Sequence, residues 1–150
     1  MISAKPTLIE GGLAIDDRGQ VIFANDCDLA SYEFRRFYLV SNHQLLPIRA
    51  WHGHKREVKA VTMVRGAAIV AAVKIDDWDR PDPLAEVSRF VLSASKPAVL
   101  VIPSGYANGF RCLTPDCQLL WFSNLTVEES REDDYRFGPH YWEPWDVEVR

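Results

Sequence analysis

The length of the apolar runs limits the fold of this chain more than any other feature. Lys59-Ala60-Val61-Thr62-Met63-Val64 alternates in character, turns at Arg65-Gly66 and continues as Ala67 to Ile75. Val21-Ile22-Phe23-Ala24 follows the turn Asp16-Asp17-Arg18-Gly19, and Phe34 to Val40, Ala98 to Ile102 and Gln118 to Ser123 are runs of the same kind. Each is too short for a core helix and is bounded by Gly, Pro, Asn or Asp, so the pattern predicts an all-β sandwich or barrel of antiparallel strands. No stretch holds a convincing helical period. Asp79 to Pro83 reads as a loop, with Leu84 to Ser88 as at most one short turn. Thr126 to Asp134 is acidic, and Thr126 with Glu129 has capping-box spacing, which predicts a helical turn there. The tail, Phe137 to Trp145, carries four aromatics and His140 among prolines. It is expected to fold over the body as a latch, because that much wet aromatic surface invites aggregation.

At 150 residues, residues 1–150 fit one domain with one sizeable core. A net charge of −4 argues against broad nucleic-acid binding, although Lys55, Arg56, Lys59 and Arg65 form a local basic cluster. A solvated strand edge accounts for Lys55 and Arg56 equally well. No apolar run approaches the ~20 residues needed to span a bilayer, and no signal peptide opens the chain. Cys27, Cys112 and Cys117 are odd in number and lack C-x-x-C spacing, so the simplest reading is free thiols in a reducing cytoplasm. Cys112 and Cys117 flank a Thr-Pro-Asp turn and are placed to face each other across a hairpin. Small apolar core residues are the preferred reading of the pair.

Two segments carry the chemistry: Arg49-Ala50-Trp51-His52-Gly53-His54-Lys55 and Ile102-Pro103-Ser104-Gly105-Tyr106-Ala107-Asn108-Gly109-Phe110. With Asp17-Arg18-Gly19 and Arg36-Phe37-Tyr38-Leu39-Val40, they resemble the metal-free cupins of nucleotide-sugar biosynthesis. These are the dTDP-4-dehydrorhamnose 3,5-epimerases and the dTDP-4-keto-6-deoxyglucose 3,4-ketoisomerases. The first half is similar to the ketoisomerase pattern D-x-R-G, R-x-Y and R-G-x-H-A-H-K, and the second to the epimerase pattern I-P-x-G-F-A-H-G-F. The likeness covers roughly residues 16 to 137.

The resemblance implies a cupin jelly-roll barrel with the two motifs facing each other. Where metal-binding cupins place a Glu and a third His, this chain has Lys59 and Asn108, so the resemblance implies neither metal nor cofactor. It implies a nucleotide-diphosphate sugar as ligand, and a homodimer with exchanged N-terminal strands, for which Thr7 to Ile15 is the candidate segment. The implied activity is 3- and/or 5-epimerisation of an NDP-4-keto-6-deoxy sugar by proton removal next to the ketone. The alternatives are 3,4-ketoisomerisation and sugar-nucleotide binding without catalysis.

His52 matches the catalytic base, and an imidazole with a pKa near 6.5 suits that task at neutral pH. His54, two residues on, points the same way in a strand and serves as a second acid/base or as an orienting group. Lys59 matches the lysine that faces the developing oxyanion. Arg49, Arg18 and Arg36 match diphosphate-binding arginines, for which ordinary salt bridges are the competing account. Tyr38 and Asn108 are expected at the substrate, Asn108 as a donor to the ketone or as a structural hydrogen-bonder. Trp121 stands where the epimerases have the tyrosine that acts as acid, and it has no phenolic proton to transfer. Trp121, Trp51 and Tyr106 either stack on the ligand or pack the core. The family's carboxylate partner of the base falls near Gly138, leaving Asp133, Asp134 or His140 as substitutes. Glu57 lies three residues beyond His54, and in an unbroken strand it points to the opposite face.

Overall fold

A computed structural model describes residues 2–150. The chain runs β1 (Thr7–Glu10), β2 (Gly12–Asp16), β3 (Gly19–Phe23), a 3₁₀ turn (Leu29–Tyr32), β4 (Arg36–Ser41), β5 (Arg49–His54), β6 (Lys59–Arg65) and β7 (Ala67–Lys74). It continues through β8 (Val87–Ser93), β9 (Ala98–Ile102), β10 (Tyr106–Cys112), β11 (Gln118–Ser123), α1 (Val127–Arg131) and β12 (Tyr135–Arg136). Two five-stranded sheets, ordered β1-β9-β6-β11-β4 and β12-β5-β10-β7-β8, carry the fold, and β2 with β3 forms a separate hairpin. Every strand pair is antiparallel. The all-β jelly roll expected from the strand pattern is the architecture found.

Side-chain alternation divides the apolar residues into three layers. Val61, Leu100, Leu119 and Trp121 of the first sheet meet Val70, Ala72, Leu92 and Phe110 of the second to form the central core. The outer face of the second sheet presents Trp51, Ile69, Ala71 and Val73, which Trp142 and Trp145 of the tail cover. Because both faces of β7 are covered, its residues Ala68 to Val73 are fully buried, and the sequence there reads as an unbroken apolar run. Val58, Ala60, Val99 and Val101 on the outer face of the first sheet pack under Tyr32, Phe34 and Phe122. The expected aromatic latch therefore exists: Trp51 and Trp145 lie 4.9 Å apart between ring centroids, and the Trp145 indole N–H donates to Pro139 O.

Two expectations change. The segment read as a short turn, Leu84 to Ser88, runs at Val87 into β8, which pairs along β7 from Ala67↔Ser93 to Val73↔Val87. Cys112 and Cys117 are not free but form a disulfide, with Cα atoms 5.8 Å apart. The turn between β10 and β11 brings them to that spacing, which lies within the range for a bridge. Both are buried in the core as expected, but the bridge removes the thiol-based ground for a reducing compartment. Cys27 keeps a free thiol. Within the chain, Thr7 to Ile15 divides between β1, which pairs with β9, and β2, which pairs with β3. The helical turn predicted at Thr126 is α1, with both reciprocal bonds of its capping box in place. Among the described residues, no helix is long and apolar enough to cross a membrane.

Candidate active site

Strand β5 turns alternate residues to opposite sides of its sheet. Trp51 goes outward under the tail and Gly53 faces the Trp78 ring, which leaves His52 and His54 inward. Strand β10 lies beside it, with Asn108 opposite His52. The two strands approach closely at Gly109, where an added Cβ would sit 2.4 Å from the Ala50 Cβ, so no larger residue fits without moving β5. A register shift opposite Asn108 and Phe110 gives β5 one extra residue, so that Arg49 and His52, three apart, both face the same cavity.

These inward residues line a cavity of about 200 Å³. His52 and Arg49 of β5 and Asn108 and Phe110 of β10 form one wall. Tyr38 and Val40 of β4, Lys59 of β6 and Trp121 of β11 form the other. Tyr38 and Trp121 are register partners, with rings 6.5 Å apart and nearly parallel. The Lys59 ammonium stands 5.8 Å from the Tyr38 ring centroid and 5.7 Å from that of Trp121. Larger hollows occur elsewhere, but none of them is lined by a histidine.

Burial lowers the His52 imidazole from its ordinary 6.5 to about 4, aided by the Arg136 and Lys59 cations and by His54 and opposed by Asp134. The near-ordinary value expected from the sequence is thus displaced, and His52 is neutral at pH 7 with a wide margin. His54 is also lowered, chiefly by burial and then by Lys59, against the opposing pull of Glu57 and Asp133.

His54 does not line the cavity. Its Nδ1 lies 2.7 Å from the Asp133 carbonyl, which assigns the proton to Nδ1, and 3.1 Å from Glu57 Oε2. The Asp133 carboxylate accepts the backbone N–H groups of Lys55, Arg56 and Glu57 at 2.8, 2.9 and 2.8 Å. Asp133 therefore shapes the β5–β6 turn and presents a carbonyl to His54, while its carboxylate is committed to the backbone. That turn corrects the reading of Glu57. Strand β5 stops at His54, the alternation restarts at Lys59, and Glu57 swings to the inner side with its side chain fully buried. Glu57 Oε1 accepts from Ser123 Oγ, from Ser130 Oγ at 2.7 Å and from Arg36 at 3.3 Å, and Lys59 Nζ lies 4.0 Å from Oε2.

The chain thus gathers His52, Lys59, Arg49, Tyr38, Asn108 and Trp121 around one cavity. Arg36 is turned away from it: its guanidinium is held by Glu57, Ser130 and the Leu125 carbonyl and lies 5.2 Å over the Tyr38 ring. Arg18 sits at the tip of the β2–β3 hairpin, bonded to Asp16 and exposed, outside the cavity of its own chain. Arg49 donates from Nε to Asn42 Oδ1 at 2.6 Å and keeps an exposed flank at the cavity rim. Tyr106 and Trp51 belong to the core, and His140 pairs with Glu143 on the surface. Among the described residues, no three His, Cys, Asp or Glu side chains group as a set of metal ligands.

Comparison with solved structures finds the same fold in enzymes that act on nucleotide-linked sugars. The dTDP-4-dehydrorhamnose 3,5-epimerase of Bacillus anthracis superposes with a TM-score of 0.77 at 20% identity, over 96% of this chain and 86% of that one. The sugar 3,4-ketoisomerase of Thermoanaerobacterium thermosaccharolyticum, solved in complex with TDP, gives 0.69 at 19% identity, over 93% of each chain. A 3'-monoepimerase of Streptomyces bikiniensis, solved with dTDP-quinovose, gives 0.72 at 16%, over 97% and 77%. No protein-family model and no curated protein sequence matches the chain. The chain has the cupin-type jelly roll of these structures.

Proposed function

We propose that the chain is a cofactor-free epimerase or isomerase of an NDP-4-keto-6-deoxy sugar, working by proton abstraction next to the ketone. The observation that carries this reading is a neutral imidazole and an ammonium lining one small cavity, His52 on one wall and Lys59 on the other. His52 takes the hydrogen α to the carbonyl, and the electron pair moves onto the carbonyl oxygen. Lys59, held before reaction where that oxygen becomes negative, stabilises the enolate; one such donor is worth about 3–4 kcal/mol. Asn108, opposite His52, is placed to donate to the same oxygen. Return of a proton to the other face of the same carbon gives the epimer. The lowered pKa favours neutral His52 throughout the physiological range and makes its conjugate acid a ready proton donor.

Trp121 cannot act as the acid, but its register partner Tyr38 lies on the same wall and carries a phenol. The Arg36 guanidinium and the Lys59 ammonium stand over the Tyr38 ring, 5.2 and 5.8 Å from its centroid, and hold the ring against the cavity. We assign Tyr38 as the donor to the second face. The cavity is smaller than the usual 300–1,000 Å³ of a small-molecule site, as expected where only a sugar ring enters and the nucleotide lies along the rim with Arg49. A second reading, 3,4-ketoisomerisation, is supported by the end-to-end match to the ketoisomerase, 93% of each chain.

The proposed assembly is a homodimer. Phe37 and Leu39 on the open edge strand β4 are 67% and 52% exposed, and Ile15 and Val21 on the hairpin 71% and 64%, an apolar surface of the kind that marks an interface. Arg18, which lies outside its own cavity, then contributes to a diphosphate site only across that interface. A light-scattering mass equal to one chain counts against this assembly.

The catalytic reading is tested by incubating the protein with dTDP-4-keto-6-deoxyglucose in D₂O and following the ring protons by NMR. Deuterium at C3 or C5 is the result expected of an epimerase, and rearrangement between C3 and C4 that of a ketoisomerase. Absence of both, with GDP-, UDP- and CDP-linked analogues also inert, refutes the catalytic reading. Nucleotide binding without turnover that survives His52→Ala would identify a binding protein instead.

A further inference from the structure

Glu57 is a carboxylate with no access to solvent, which in isolation is a strongly unfavourable arrangement. Every element around it supplies a partner: Arg36 from β4, His54 from β5, Lys59 from β6, Ser123 from β11 and Ser130 from α1. Its own N–H is fixed by Asp133. The charged or titratable groups facing the carboxylate are thus Arg36, His54 and Lys59. Oε1 is saturated by the two hydroxyls and Arg36. Oε2 makes no hydrogen bond, and its nearest cationic or titratable neighbours are His54 Nδ1 and Lys59 Nζ, at 3.1 and 4.0 Å. The saturated oxygen anchors the group, and the other one faces His54 and the cavity residue Lys59.

We propose that Glu57 is a positioning residue, which holds Lys59 aimed into the cavity and locks the imidazole of His54 behind it. The assignment rests on the reading of the cavity given above. Glu57 touches neither cavity nor substrate, so its effect passes through Lys59. Lys59 is nearly buried, its side chain only 12% exposed, and Glu57 is the carboxylate that offsets its charge. Without that carboxylate, the ammonium loses its tether and is left buried without a partner. The His54 ring, deprived of one of its two Nδ1 neighbours, keeps only the Asp133 carbonyl.

The test compares wild type with Glu57→Gln and Glu57→Asp in the D₂O assay, with dTDP binding measured by calorimetry. In Glu57→Gln, kcat is expected to fall on the order of 10²-fold, as for a displaced catalytic group, with dTDP affinity unchanged. Glu57→Asp, which keeps the carboxylate, is expected to recover part of the rate. A Glu57→Gln protein with wild-type kcat overturns the proposal. Acetic anhydride labelling of Lys59, read by mass spectrometry, is independent of turnover. Acylation at fixed pH should rise on the order of tenfold in Glu57→Gln, because an amine freed from its tether reaches the reagent more readily. An unchanged labelling rate overturns the proposal even if wild type proves inactive on every sugar tested. Inactive wild type together with faster labelling overturns the functional reading and supports the role of Glu57. Should Glu57→Gln fail to fold, Glu57→Gln with Arg36→Met removes both buried charges and is labelled in the same way.

Discussion

His52 and His54 stand two residues apart on one face of one strand, yet they occupy different regions. His52 borders a cavity that a ligand can enter; His54 lies in a dry polar knot with Glu57, Asp133, Arg36 and two hydroxyls. The same desolvation lowers both imidazoles, but one faces open space and the other faces fixed partners. Shared side-chain direction does not confer a shared role. What separates the two histidines is the turn at Lys55 to Val58, which closes over His54 and leaves His52 uncovered.

Substitutions that separate the two regions sharpen this contrast. The largest effect belongs to the cavity: His52→Asn should reduce deuterium exchange by about 10²–10⁴-fold while the thermal midpoint stays near that of wild type. Equal loss of rate from His54→Asn at unchanged stability would erase the distinction. The knot should fail in the opposite sense. Asp133→Ala strands three backbone N–H groups and is expected to lower stability by about 3 kcal/mol, read by urea denaturation. A change below about 0.5 kcal/mol would mean that water replaces the carboxylate at no loss.

The smallest and most diagnostic effect is in pH. Both folded imidazoles titrate below their unfolded value of 6.5, so between that value and about 4 the unfolded chain binds protons that the native chain refuses. Stability from these groups is therefore present above pH 6.5 and is lost as pH falls towards 4. Melting at pH 5 should come below melting at pH 7. His52→Asn should retain part of that slope, and the remainder is the share of His54. A wild-type midpoint that rises between pH 7 and pH 5 contradicts the assignment.

Much of the barrel was legible because strands with one or two buried faces advertise them. The alternation of β6 and the unbroken apolar run of β7 follow from which faces are covered. Strand β8 was hidden because its residues other than Leu92, Ser88 and Arg89 among them, remain partly or largely exposed and follow a proline-rich loop. The cavity residues came from motif spacing, and the inward registers of His52, Lys59 and Asn108 agree with it. Glu57 was misplaced because counting by twos holds only while a strand lasts, and β5 ends three residues earlier. Arg36 was read by its matching position alone, with no view of the buried carboxylate that would claim it. The disulfide was an open alternative at the Thr-Pro-Asp turn, decided by a Cα separation that no spacing rule supplies.

Trp121 is set apart from the other four tryptophans, which cluster on the outer face of the second sheet with the tail. Its indole is a wall of the cavity. The molecule therefore carries its own optical probe: emission that responds to an added sugar nucleotide and falls silent in Trp121→Phe reports occupancy directly, without a label or a turnover assay.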